Sequence, residues 1–447
     1  MFTEFAIGIS LSVFLVGTYL IWFSKKNIFN HSVLGLCFVA YLVPAFVIKY
    51  DDYSTPDVIR LYVIINLLGC FTYLSGMLLG YRIKTLIAVN TLLQFRFLST
   101  VHDNEHGIQK IRKVSSIIYV AALGGIIISY ILMGFVPLFA ANPFMAKFFK
   151  GEYQAPYERV AFLYRTARQL LEFLMPLRIL ELFINFNLKS VILVLSGILL
   201  IAVSLNRGPI LSGFLVAISI FVALKKNNGP FWIYLIIVFS SYILGSGVYY
   251  LLGLAFPDSF FGDAANVGFF EAVAMGAPDI TDQLSFLSAF LDSGSHYSYG
   301  LTFFGGLIPF NFPWNPSVYT LTILNSSNDI SEVASGGLRL PVSLWGYISF
   351  GWIGVALVPF FSGVFTGYIV KKVKRIINTL RANESGYVSF FLIQFVFSNI
   401  AVVFTNFYFL SIYSLPAFVL FYTIIMAGKT KNKELTGSSI VTYHNKQ

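Results

Sequence analysis

The 447-residue chain reads as an all-α, polytopic membrane protein with about eleven transmembrane helices and two long external loops. Three observations predict this. Hydrophobic residues make up 57% of the chain and charged residues only 11%, with a mean hydropathy of +0.76, whereas soluble domains carry roughly 25% charged residues. Apolar runs near twenty residues long recur along the chain, the length that crosses a bilayer. Basic residues gather in every second link between those runs, which is the bias that sets orientation.

The runs are 5–23, 31–48, 58–80, 114–136, 169–187, 190–205, 209–224, 230–254, 341–370, 386–405 and 407–427. Secretory signal peptides place positive charge ahead of their apolar stretch. Here Lys25 and Lys26 follow the first run instead, so it reads as a retained span. The sixth and seventh runs are short, as expected where a tight corner dips into the interface. Eleven crossings put 20 of the 30 basic residues on one side: Lys25 and Lys26, the cluster from Arg82 to Lys113, Lys189, Lys225 and Lys226, the cluster from Lys371 to Arg381, and the lysines of the tail. That side is expected to be the cytoplasm, with the N-terminus outside, the C-terminus inside, and residues 1–447 forming one integral membrane domain. No strong internal repeat is visible.

The net charge of +10 sits mostly in loops beside spans and does not point to nucleic acid. Cys37 and Cys70 both lie in apolar runs, so no disulfide framework or metal cluster is implied. No P-loop, GxSxG, HExxH or metal-spaced CxxC occurs. No cofactor and no metal ligand set is expected.

Loops longer than about 12–15 residues usually carry function, and the two long outer ones are 137–168 and 255–340. The first is basic, with Lys147, Lys150, Arg159, Arg165 and Arg168 against Glu152 and Glu158. From Tyr157 it reads as a helix that places Glu158, Arg165, Arg168 and Glu172 on one face. Such a face is either a salt-bridged surface or a cationic approach for an anionic lipid head. The second loop is acidic and aromatic, with Asp279, Asp282, Asp292, Tyr297, Tyr299, Phe303 and Trp314. Carboxylates can hydrogen-bond sugar hydroxyls and aromatic faces can stack on sugar rings, although a lid that simply packs its aromatics on the bundle has the same composition. His296, the only histidine of this loop, is a candidate base or proton shuttle. The inner loop 81–113 is long too. Its Thr91 to Leu98 stretch can lie flat in the interface.

Three polar features fall at or within spans. Asn206-Arg207-Gly208-Pro209 forms a corner between two apolar runs and leaves a guanidinium on the outer side. Arginine at membrane depth is costly unless it meets water, a partner or an anion, which suggests a phosphate or pyrophosphate on a lipid. Arg178 and Glu181, three residues apart after Pro176, are expected to neutralise each other or to face a cavity. Asp51-Asp52 reads as a solvated loop end, or as the paired acid of a metal-using glycosyltransferase.

The chain resembles the O-antigen and oligosaccharide repeat-unit polymerases of the Wzy type. The likeness is carried by Ser204-Leu205-Asn206-Arg207-Gly208-Pro209, by the late outer loop with Ile308-Pro309 and Pro313-Trp314-Asn315-Pro316, and by Gly336-Gly337-Leu338-Arg339-Leu340-Pro341 leading into Trp345-Gly346-Tyr347 and Gly351-Trp352-Ile353-Gly354. The resemblance implies a glycosyltransferase on the periplasmic face of the bacterial inner membrane. Its substrates would be undecaprenyl-pyrophosphate-linked oligosaccharides, with a chain-length regulator and a flippase as partners in O-antigen or capsule-type synthesis. Arg207 and Arg339 would stabilise the leaving pyrophosphate, aided by Arg159, Arg165 and Arg168. Glu158, Glu152 or His296 would serve as base, and Tyr297, Tyr299 and Trp314 would hold sugar. The rival readings are an O-antigen ligase, a polyprenol-linked glycosyltransferase that uses Asp51 and Asp52, and a lipid-linked oligosaccharide flippase or transporter.

Overall fold

The computed structural model describes residues 2–92, 95–247, 250–251, 254, 268–276, 279–308, 312–325, 337–405 and 411–429. All regular structure in them is helical. Five helical stretches are long and apolar enough to cross a membrane: Phe2–Leu20, Pro56–Arg82, Glu105–Phe139, Gly229–Ser246 and Val342–Ile377. Shorter apolar helices run over Val33–Val47, Leu188–Ala202, Gly208–Leu224 and Leu415–Ala427. These lengths and compositions fit a multi-pass membrane protein.

The principal helices are α1 (Phe2–Val16), α2 (Ile28–Cys37), α3 (Pro56–Arg82), α4 (Glu105–Met133), α5 (Ala161–Ile184), α6 (Leu188–Ala202), α7 (Arg207–Leu224), α8 (Gly229–Ser246), α9 (Phe269–Met275), α10 (Asp279–Asp292), α11 (Pro316–Leu324), α12 (Val342–Ile377), α13 (Glu384–Thr405) and α14 (Leu415–Ala427). Their ends follow local chemistry. Asn104 caps α4 by accepting from Gly107 N at 2.9 Å, and Gly134 ends it at φ +75°. Asn187 caps α6 in the same way through Ser190 N. Side-chain acceptors of this kind satisfy the amide groups that a helix start leaves open.

Helix α5, which contains most of the expected fifth span, carries five charged residues, yet it is the buried centre of one half of the bundle. Every residue from Phe173 to Glu181 is buried. Its neighbours are α4, α7, α6, α14 and α13. Toward its C-terminal end Arg178 donates to Glu181 Oε2 at 2.6 Å, and Arg112 donates to Glu181 Oε1 at 3.1 Å and also pairs with Glu384. The expected Arg178–Glu181 pair therefore forms part of a four-member network joining α4, α5 and α13. That network satisfies charges which would otherwise be costly to bury.

The other half is built on α3 and α12, which meet with their backbones nearly touching. A Cβ at Gly76 or Gly80 would overlap the carbonyls of Phe360 or Val364. One at Gly363 or Gly367 would overlap those of Tyr73 or Met77. Small residues four apart permit this approach, the usual way for membrane helices to associate when apolar burial gives no preference over lipid.

Two expectations change here. The 341–370 run is not one straight helix. At Gly351 (φ +60°, ψ −143°) the chain breaks, and the buried turns Val342–Ser349 fold back so that Gly346 and Gly354 meet backbone to backbone. Only glycine takes that φ without strain, so the Gly-Trp-Ile-Gly sequence is a hinge. The first outer loop does not run as one helix into the fifth span either. A short helix, Gln154–Glu158, ends before Arg159, and α5 starts anew at Ala161. Glu158 therefore leaves the face that holds Arg165, Arg168 and Glu172.

Candidate functional site

Within the 255–340 segment the described residues are largely helices and turns. Helices α10 and α11 pack on each other, and α10 also packs on α3. Their apolar faces, including Phe286, Phe290 and Leu284, are fully buried with Trp345 and Ile348 of the folded-back segment. This packing turns Asp279, at the start of α10, into the interior.

Arg339 meets it there, with Nη2 2.8 Å from Asp279 Oδ1. Asp279 is buried, whereas the Arg339 side chain is 48% exposed. Gln283, one turn along α10, donates from Nε2 to the Arg339 carbonyl at 2.7 Å and accepts from the Tyr62 hydroxyl at 2.5 Å. Ser343 donates to Asn66 Oδ1 at 2.6 Å, and Asn66 donates to the Tyr62 carbonyl at 3.0 Å. A buried polar chain thus runs from α3 through α10 to the segment carrying Arg339. Burial pushes the Asp279 carboxyl up to about 6. The Arg339 guanidinium opposes the rise and Asp282 adds to it. Burial moves Asp282 the same way.

The expected sugar-stacking residues fall in the same block. Tyr297 lies 5.7 Å from Phe290 and about 6.5 Å from both Tyr299 and Tyr347, measured between ring centres. Trp314 stacks on Tyr319 at 5.9 Å, and the Tyr319 hydroxyl donates to the His296 carbonyl at 2.8 Å. Trp314 is engaged in packing, while Tyr299 is 72% exposed. The His296 imidazole is exposed. Tyr297 and Tyr299 line one wall of an apolar groove of about 700 Å³, whose other wall is Phe350, Gly351, Ile353 and Leu357 at the α12 hinge.

Arg165 reaches this region from the first loop. Its guanidinium lies 4.4 Å over the Tyr413 ring, and its Nε donates to the Tyr157 hydroxyl. Next to Tyr413, Ile412 N donates to the Gly306 carbonyl at 2.7 Å. The 412–413 segment thus lies between Arg165 and the 255–340 segment. Arg168 instead pairs with Glu172 at 3.2 Å and lies near the Tyr164 ring. Glu158 accepts from Gln154 at 2.8 Å and is exposed. Arg159 is exposed and makes no ion pair among the described residues. Glu158 and Arg159 are therefore not drawn into the polar chain around Arg339.

The Arg207 side chain lies outside the described residues, but its backbone opens α7. The turn is Val203–Asn206, three residues earlier than expected, with Leu205 at φ +58°. The first outer loop is tied to it through Leu138 N and the Val203 carbonyl at 3.0 Å. A cation in the first turn of a helix works against the helix dipole, while the open amides there attract anions. Asp51 and Asp52 are exposed in a short 3₁₀ turn. Among the described residues no group of three or more His, Cys, Asp or Glu is placed to hold a metal. Asp258, Asp263, Asp329, Glu332, Pro309 and Phe310 lie outside the described residues.

Sequence reading missed Asp279, Gln283 and Tyr62 as site residues. Nothing local marks Asp279 among the acids of its loop, because its partner is supplied by a distant segment. Comparison with known protein families, curated proteins and solved structures found no match. The described residues form an all-helical fold, with helices of a length and composition that fit a multi-pass membrane protein, and hold a buried acid paired with a half-exposed arginine.

Proposed function

We propose that this protein is a membrane glycosyltransferase that polymerises undecaprenyl-pyrophosphate-linked oligosaccharide repeat units on the outer face of the bacterial inner membrane. One observation carries the reading. The folded-back helix Val342–Ser349 has the Arg339–Asp279 pair before its first turn and the apolar groove at its last. Eight helical residues span about 12 Å. A lipid pyrophosphate needs such a pairing, a cation for the head and an apolar slot for the start of the tail. Arg165, lodged on Tyr413 next to the residue that bonds Gly306, would be a second guanidinium for the same head in this reading.

In this reading a hydroxyl of the incoming unit attacks the anomeric carbon of the growing glycan. The anomeric C–O bond to pyrophosphate breaks, and undecaprenyl pyrophosphate leaves with the bonding pair. Charge grows on its oxygens, and preorganised guanidinium forks stabilise that charge more in the transition state than in the ground state. Asp279 orients Arg339, and the Gln283–Tyr62 pair fixes the backbone beneath it. The hydroxyl proton passes to a carboxylate or to the exposed His296. Tyr299, open at the groove mouth, offers a face for a sugar ring.

The test is a gel of surface polysaccharide from cells lacking the protein. Lipid bearing a single repeat unit is expected. A full ladder would exclude polymerisation by this protein, and complete loss of repeat units would point to a ligase or a flippase.

A further inference from the structure

The opposite end of the bundle carries a second concave site, and it is purely basic. The ends of α3 and α12 converge there with the short helix Ile87–Leu92. Two adjoining cavities of about 540 and 480 Å³ share Lys372 and Arg375. The first also takes in Asn90, Arg96 and Ser99, and the second Lys84, Lys371 and Lys374. No Asp or Glu occurs between residues 81 and 101 or between 361 and 382. Lys84, Arg96, Lys372 and Arg375 have no ion-pair partner among the described residues.

The walls are built rather than incidental. The Tyr368 hydroxyl accepts from Leu86 N at 3.1 Å and donates to Asn90 Oδ1 at 2.5 Å, fixing the short helix against α12. Lys371 donates to the Ile83 carbonyl at 3.1 Å and Lys374 to the Tyr81 hydroxyl at 3.0 Å, which holds two ammonium groups at the rim. Lys372 lies 5.3 Å from the centre of the Tyr368 ring. Elsewhere on this side Lys113 and Lys189 stand exposed, outside these cavities.

We propose that these paired cavities bind the phosphate headgroup of an anionic phospholipid. Three features favour a lipid as the source of that phosphate. The cavities sit where two long apolar helices end, which is headgroup depth for any helix that spans. Ile87 is exposed beside them, an apolar surface suited to acyl chains. Clustered basic residues without acidic neighbours at the ends of spans attract anionic headgroups. Two cavities sharing Lys372 and Arg375 suit a headgroup with two phosphates, such as cardiolipin. The site is separate from the Arg339 region and does not depend on the glycosyltransferase reading.

The experiment titrates cardiolipin into purified protein in a neutral detergent and follows the apparent melting temperature, with phosphatidylcholine and sodium pyrophosphate as comparison probes. Wild type is expected to be stabilised by cardiolipin at concentrations where the other two have no effect. The double variant Lys372→Gln, Arg375→Gln should bind at least about tenfold more weakly. Arg96→Gln, on one wall and exposed, should weaken binding without altering the unliganded protein. The control pair Lys113→Gln, Lys189→Gln should change binding less than about twofold. Equal weakening by both pairs would mean general charge attraction and overturn the proposal. Equal stabilisation by phosphatidylcholine would overturn it, as would displacement of lipid by pyrophosphate at matching concentration, which would assign the site to a soluble anion.

Discussion

Replacing Asp279 with asparagine separates what this residue does for stability from what it does for Arg339. The carboxyl is buried, and its folded value is about 6 against 3.8 for the free group. At about 1.36 kcal/mol for each tenfold change in proton affinity, that rise corresponds to about 3 kcal/mol. The sign follows from proton binding. Between about pH 4 and 6 the native state holds a proton that the unfolded chain has released, so stability falls as pH rises through that window. Above it the penalty is complete. The attraction of Arg339 is already contained in the shift, and a half-exposed guanidinium that loses its partner can turn to water. An asparagine amide carries no charge at any pH. The variant should therefore be more stable than wild type at about pH 7.5, by up to about 3 kcal/mol, and should lose that advantage only as pH falls to about 4. Asp282 also titrates, and its repulsion of Asp279 is part of the difference. The assay is the apparent melting temperature in detergent across this range, where a gap of a few degrees should open with rising pH. In cells the same variant should shorten the polysaccharide ladder, because Arg339 is no longer held. A stability difference that stays constant with pH, or a variant less stable than wild type at about pH 7.5, would refute the burial argument.

Gly76→Val should prevent close approach of α3 and α12 at a cost of about 3 kcal/mol or more, seen as loss of monodisperse protein on size exclusion. Gly124→Val, where an added Cβ has nothing within 4 Å, should not. Arg207→Ala and Arg339→Ala should each lower polymerisation by about two to three decades while the protein still inserts. Lysine should not restore it, since an ammonium lacks the planar fork, and normal ladders at normal protein levels would remove these residues from the mechanism. In a background lacking Cys37 and Cys70, cysteine at Ser293 should react with an impermeant thiol reagent applied outside the inner membrane and cysteine at Asn228 should not. Reversed labelling would overturn the expected orientation and, with it, an outward-facing Arg339.

The sequence by itself determined the helical, membrane character of the chain, because apolar run length and charge are local properties that any window displays. It also exposed the Arg178–Glu181 pair, whose partners lie three residues apart, while the turn expected at Asn206–Pro209 falls at Val203–Asn206. The glycines of α3 and α12 were visible as letters, but their meaning as contact points needed both helices in place. The hinge at Gly351 was hidden inside an unbroken apolar run, since hydropathy does not register a change of φ. The site around Arg339 was only half legible. The arginine stood out as the lone cation of an acidic loop, but any of eight acids in that loop could have met it. Tertiary packing chose Asp279, because burying the apolar face of α10 against the folded-back segment turns that one carboxylate inward, where leaving it unpaired would be costly.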